Sequence, residues 1–289
     1  MATKTAISSS KKSTDEKPKT STVEAIDNRS STMTFKSICA FINKTPIIGK
    51  LVAEFIGTFL LTAAFFEMPN NPIPIAFAMI GIVLIVGGIS GSHINPAMTI
   101  GAFVTRRISG LRAIGYIIAQ FLGAGASYLV LNAFIKANEV TTIAASTSSI
   151  FHAASITDLT DSKKWYLFFA ELLGAAILGL GFAAALRIKK NKTASAFSAG
   201  FAMLIALYIT MSLTISFLTE SSTGLTFLNP AVAFAANGLS WSLWPIAIFV
   251  IAPVLGGIIG FAIQSFLQSQ TTNTSDCDCC NCCECDNCK

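Results

Sequence analysis

Apolar residues along this chain gather in long unbroken blocks, not in stripes. Six blocks run approximately 48–66, 73–91, 113–135, 165–186, 196–218 and 241–267. Each is close to the roughly 20 residues that a helix needs to cross about 30 Å of hydrocarbon. A helix on a water-soluble core would alternate an apolar stripe with a polar face. The pattern therefore predicts six membrane-spanning helices and an all-α fold with the bilayer as solvent. Two further apolar stretches, 98–105 and 232–239, are too short to span. About ten residues at 1.5 Å rise cover only about 15 Å. The pattern fades before residue 46 and after residue 268, which divides the chain into a tail 1–45, a membrane domain 46–268 and a second tail 269–289. The first tail is rich in Ser, Thr and Lys, lacks the apolar core of a cleaved signal, and is expected to be disordered.

Charge adds orientation to this picture. Only 12% of residues are charged, against about 25% in an average soluble domain. The net charge is +5, and its distribution matters more than its size. Nine Lys or Arg fall in residues 1–50, Arg106, Arg107 and Arg112 follow the second block, and Arg187, Lys189, Lys190 and Lys192 follow the fourth. The alternate connections 67–72 and 219–228 carry none, and 136–164 carries only Lys136, Lys163 and Lys164. Positive charge marks the cytoplasmic side, so both termini are expected there. The basic runs read as topology signals, and no nucleic-acid partner is expected. The sequons at Asn28, Asn43, Asn191 and Asn273 all fall on that side, so glycosylation is not expected.

The two halves of the chain echo each other. Ala53-Glu54-Phe55-Ile56-Gly57 opens one apolar helix and Ala170-Glu171-Leu172-Leu173-Gly174 opens another. Downstream come Ser90-Gly91-Ser92-His93-Ile94-Asn95-Pro96-Ala97 and Leu228-Asn229-Pro230-Ala231. Each half has an odd number of spans, so the second enters the membrane from the opposite face. Inverted repeats of this kind place their functional site near the midplane. Each short stretch follows an Asn-Pro-Ala box, with Asn suited to the N-cap and Pro to the first helical position. The short segments are predicted to be half-helices that enter from opposite faces and meet at the centre. Irregular backbone in a membrane is tolerated only where it is buried in protein or lines a wet cavity. A water-filled pore where Asn95 and Asn229 meet is the expected consequence. Each Asn would use its oxygen as a cap and leave its amide free for a passing water. The two half-helix N-termini would repel cations and protons there.

The twin boxes, the Ser-Gly-x-His run and the Glu that opens each half resemble the major intrinsic protein family of aquaporins and aquaglyceroporins. The resemblance covers about 46–268. It implies six helices plus two re-entrant half-helices per subunit, one pore per subunit and a homotetramer. It also implies a ladder of carbonyl acceptors at 92–94 and 226–228. By the family's spacing the selectivity constriction would be formed by Ile75, Phe217, Thr226 and Val232, with Leu225 an alternative to Thr226 because the loop is one residue longer than usual. Most members carry Arg where this chain has Val232. A ring of Ile, Phe, Thr and Val has no fixed charge, so less polar solutes would be penalised less than at an Arg-bearing ring.

Other candidates carry alternatives. Glu54 and Glu171 lie inside apolar blocks, where an ionisable group needs partners. Each could be part of a proton relay or an anchor for backbone amides; the resemblance favours the anchor. His93, at the expected cytoplasmic mouth, could gate by titration or serve a structural hydrogen bond. Thr193 and Ser195 beside the basic loop could take phosphate. Seven of the eight Cys lie at the end of the chain: Cys277, Cys279, Cys280, Cys282, Cys283, Cys285 and Cys288. A cytoplasmic location disfavours disulfides there, which leaves soft-metal binding, lipidation or no role.

No nucleophile–base constellation or cofactor motif is present, so an enzyme and a bound cofactor are not expected. The expected function is a passive membrane channel for water and small uncharged solutes such as glycerol, urea or ammonia. A secondary transporter and a poorly conducting junction protein of the same fold are the rivals.

Overall fold

The computed structural model describes residues 46–68, 71–139, 156, 159–215, 226–236, 239 and 242–278. The tail 1–45, Phe217, Leu225 and the cysteines from Cys279 onward lie outside the described residues, and the side chain of Cys277 is likewise not described. In chain order the helices are α1 (Pro46–Glu67), α2 (Pro72–Ser90), α3 (Pro96–Val104), α4 (Gly110–Glu139), α5 (Asp161–Ala185), α6 (Lys192–Ile215), α7 (Pro230–Ala235) and α8 (Leu243–Ile246). The last of these continues through a π-helical turn, Ala247–Ile251, into α9 (Ala252–Asp278). Among the described residues six stretches are long and apolar enough to cross a membrane, from Ile47–Glu67 to Leu243–Gln270.

Several helices extend beyond the apolar blocks. Helix α5 begins at Asp161 and α6 at Lys192, ahead of the blocks expected from 165 and 196. Helix α9 runs past residue 268 to Asp278. Hydropathy locates the hydrocarbon, whereas backbone hydrogen bonds continue into the interface. At α6 the start is set by Asn191, whose side-chain oxygen accepts from Ala194 N at 2.9 Å. The second half-helix departs the other way. Helix α7 covers only Pro230–Ala235 and ends at an Ala236 cap, short of the expected 239.

Packing follows the inverted repeat. Helices α1, α2 and α4 associate in the first half, and α5, α6 and α9 in the second. The half-helices are exchanged: α3 packs on α9, and α7 packs on α4. Close approach needs small residues, since lipid supplies no hydrophobic drive between helices. A Cβ on Gly123 of α4 would collide with the Phe55 carbonyl of α1, and one on Gly260 of α9 with the Ala176 carbonyl of α5.

The outer surface is apolar: Phe77, Ile85 and Leu129 are each about two-thirds exposed, at 65, 65 and 66%. In water such patches would drive association; in a bilayer they face lipid. At the end opposite the basic loops, Trp165 and Trp244 meet edge to face at 5.2 Å. Lys164 lies 5.9 Å from the Trp244 ring. Amphipathic rings in this place suit the membrane interface.

Candidate pore site

The two boxes build the same local structure. Asn95 and Asn229 are extended, at φ −158° and −148°, and each is followed by Pro at the start of its helix. The Asn95 side-chain oxygen accepts from Ala97 N at 2.8 Å, and that of Asn229 from Ala231 N at 3.0 Å. The side-chain amides are not wholly free, contrary to the sequence expectation. Asn95 Nδ2 donates to Leu228 O at 2.8 Å, and Asn229 Nδ2 donates to Ile94 O at 3.0 Å. Each Asn thus caps its own half-helix and ties down the carbonyl that precedes the other Asn. A primary amide has two donors, so one N–H of each remains beyond this cross-strap.

The loops before the caps are strained and held. Ile94 and Leu228, the residues before each Asn, have φ of 41° and 54°, and Ser92 has 50°. Such left-handed conformations in residues with a Cβ cost of order 1–3 kcal/mol each and persist only where surroundings fix them. The fixing groups are buried carboxylates. Glu54 accepts from His93 N at 2.9 Å and Ile94 N at 2.6 Å. Glu171 accepts from Phe227 N at 2.7 Å and Leu228 N at 2.9 Å. Both oxygens of each carboxylate are engaged, and neither residue has exposed surface. The glycine three positions on completes the device. A Cβ on Gly57 would lie 2.5 Å from the Ile94 side chain, and one on Gly174 would lie 2.6 Å from that of Leu228. The Glu-x-x-Gly repeat is therefore one unit, with Glu holding the loop amides and Gly making room for the side chain that the strain turns inward.

Of the four residues expected at a constriction, three are described. Ile75 and Val232 have no exposed surface and Thr226 has 4%. Ile75 and Val232 share one apolar cluster with Phe227 and Leu228. The Thr226 hydroxyl lies 3.3 Å from that of Thr214 on α6. Thr214 Oγ1 is also 3.0 Å from Thr210 O and 3.2 Å from Met211 O. Either hydroxyl can be the donor between Thr214 and Thr226.

Residues 41–264 match the profile of the family described as Major intrinsic protein. The chain belongs to that family. A glycerol uptake facilitator protein-like 6 from Lactiplantibacillus plantarum is 30% identical over 226 residues, 73% of this chain and 94% of the relative. An aquaporin Z from Brucella melitensis is 30% identical over 236 residues, 75% and 96% of the two chains. The crystal structure of the aquaglyceroporin from Plasmodium falciparum has the same fold, with a TM-score of 0.54, 17% identity, and coverage of 75% of this chain and 93% of that one. The twin boxes and the exchanged half-helices are thus the frame of a multi-pass membrane channel of the major intrinsic protein family.

At the basic end, His93 is 4% exposed. Its Nδ1 is 3.8 Å from Glu54 Oε1, and its ring meets Tyr116 at 5.3 Å and Phe182 at 5.9 Å. Neither ring nitrogen has a hydrogen-bond partner among the described residues. Ser195 Oγ donates to Ala185 O at 2.8 Å and is partly buried; Thr193 is exposed. Among the described residues no three metal-ligating side chains converge.

Three participants escaped the sequence reading. Gln120 Nε2 donates to Glu54 Oε2 at 2.8 Å and to Thr99 Oγ1 at 2.9 Å, which gives the first carboxylate a donor beyond the two backbone amides. A lone Gln inside the third apolar block was the available signal. Thr214 was overlooked because hydroxyls in membrane helices usually bond their own backbone. Arg107 was counted only as a topology charge. The structure shows it placed by the end of α3. Arg106 adopts φ 59°, with Arg106 N donating to Phe103 O at 2.9 Å and Arg107 N to Ala102 O at 2.8 Å, a Schellman closure. The guanidinium then reaches Ala183 O at 2.7 Å, Gln264 Oε1 at 2.6 Å and Ser265 Oγ at 3.0 Å. Burial, and then the charge of Arg187, hold its pKa below the usual arginine value.

Proposed function

We propose that this channel passes water and small uncharged solutes passively, as a homotetramer with both termini in the cytoplasm. The observation that carries the reading is the reciprocal strap, in which each Asn donates across the midplane to the carbonyl before the other. It converges two half-helix N-termini on one spot, where their partial positive charge opposes cations and protons. Val232 supports passage of solutes other than water, because a wall without a guanidinium lacks both bulk and charge. The Thr226 hydroxyl, the one polar side chain among the three described constriction residues, favours permeants that bring N–H or O–H groups. Domain limits of 46–268 for the channel, with a tail on either side, complete the reading.

The test is stopped-flow permeability of the purified protein in liposomes with water, glycerol, urea and ammonia. Linear, uncoupled flux of water and at least one solute is expected, whereas saturating, ion-coupled flux would indicate a transporter. Folded Val232→Arg should lose solute flux much more than water flux. An unchanged solute-to-water ratio would show that the constriction lies elsewhere. Orientation is checked separately: protease added outside right-side-out cells should leave the C-terminal tail intact.

One observation favours a second reading, a poorly conducting membrane protein of the same fold. Ile75, Val232, Leu228 and Asn229 have no exposed surface at all, and Asn95 has 2%. The midplane is tight in this structure. Water permeability no greater than that of empty liposomes would establish this reading over the first.

A further inference from the structure

At the basic end a cavity of about 500 Å³ opens beside the first box. Ser90, Gly91 and His93 form its inner wall, and Arg107, Arg187 and Lys189 ring it. A second cavity of about 270 Å³ shares Lys189 with it and adds Lys192 and Ser195. Among the described residues the cations are held together without a counter-charge. Arg107 Nη2 and Arg187 Nε both donate to one neutral acceptor, Gln264 Oε1, at 2.6 and 3.1 Å. A Glu in place of Gln264 would have neutralised the pair; the amide leaves both charges standing. Among the described residues no carboxylate lines either cavity. Glu54 lies behind His93, with its oxygens engaged by loop amides and Gln120. Among the described residues, Arg187, Lys189 and Lys192 form no salt bridge. Topology alone asks for positive charge on this side, but it does not ask for two arginines to be fixed on one amide at the rim of a cavity.

We propose that this basic vestibule binds a phosphate-type oxyanion, seated between Arg187 and Lys189 with Arg107 behind it, and that the bound anion obstructs the pore mouth. Guanidinium groups suit such ligands because their planar donors match two oxygens at once. Arg107 and Arg187 have spent only part of their donors on Gln264, Ala183 and Ser265, and Lys189 is exposed. The ligand supplies the charge that Gln264 lacks. The obstruction rests on the proposed pore, since it requires the His93 wall to be the entrance; the binding does not. Two sources offer this chemistry, a free polyphosphate and a phosphomonoester lipid headgroup.

The test uses the full chain in neutral-lipid nanodiscs, titrated with inorganic pyrophosphate by calorimetry. A parallel arm measures retention of phosphatidic acid by the protein with no soluble anion present. Saturable binding in either arm is expected, and the arm that responds identifies the source. Arg187→Gln with Lys189→Gln should weaken it by at least about tenfold, as two charge-assisted pairs are lost. Arg187 also bonds Gln264, so Lys189→Gln with Lys192→Gln serves as a second variant that breaks no side-chain hydrogen bond among the described residues; it too should weaken binding. Lys164→Gln, at the opposite end, should leave it unchanged. Absence of saturable binding in both arms, or binding undiminished in both double variants, would overturn the site. Water flux that stays undiminished at saturating anion would overturn the obstruction, while flux absent with and without anion would count against the channel reading and leave the binding result standing.

Discussion

Replacing Asn229 with Asp separates the two jobs of the midplane asparagine. Asp is as good an N-cap as Asn, so the bond from Ala231 N, 3.0 Å in the wild type, is kept. The donor to Ile94 O, also at 3.0 Å, is lost, and a carboxylate oxygen faces the carbonyl instead. Asn229 has no exposed surface, so no solvent replaces the missing donor. Leaving one buried acceptor unsatisfied costs about 1–3 kcal/mol, and an ionised carboxylate with no exposed surface adds a desolvation cost of its own. Asn229→Ala removes the cap as well, orphans both Ala231 N and Ile94 O, and should cost about 2–5 kcal/mol by the same reckoning. Both variants are therefore expected to unfold below the wild type in thermal unfolding of the detergent-solubilised protein. Permeation should separate them. The Asp charge sits where two helix N-termini oppose cations, so Asn229→Asp should admit a cation leak that Asn229→Ala does not, read with a potential-sensitive dye in liposomes. Both should reduce water flux by stopped flow. An Asp variant with wild-type unfolding and no cation leak would show that the cross-strap is idle and that Asn229 acts only as a cap.

Further outcomes follow from the loop device and the constriction. Glu171→Gln exchanges one acceptor for a donor facing either Phe227 N or Leu228 N; it should lose about 1–3 kcal/mol and speed amide exchange at those two residues, and unchanged exchange rates would refute the anchor. Gly57→Ala puts a Cβ 2.5 Å from the Ile94 side chain, so overpacking of about 1–3 kcal/mol and lower water flux are expected; a wild-type melting temperature would show that the loop can retreat. Thr226→Val removes the acceptor and should slow ammonia and glycerol relative to folded wild type, whereas equal rates in the flux panel would place Thr226 outside the permeation path.

Sequence alone determined the span count, the inverted repeat and the twin caps, because each rests on a local rule. About twenty apolar residues suit a bilayer crossing, and Asn followed by Pro suits an N-cap and the first helical position. The same logic made Glu54 and Glu171 stand out, since a carboxyl in an apolar block needs partners. What those partners are was a tertiary matter. Backbone amides at His93, Ile94, Phe227 and Leu228 come within reach only when the strained loops fold back on α1 and α5. The left-handed φ of Ile94 and Leu228 runs against their own propensity, so no local rule could foresee it. Nor could spacing show that each Asn reaches the carbonyl before the other, as residues 133 and 135 positions apart meet only once the half-helices are exchanged. Gln264 is the clearest case. In sequence it is a polar residue near the end of an apolar helix, and only packing brings Arg107 and Arg187 to the same oxygen and leaves their charge unanswered.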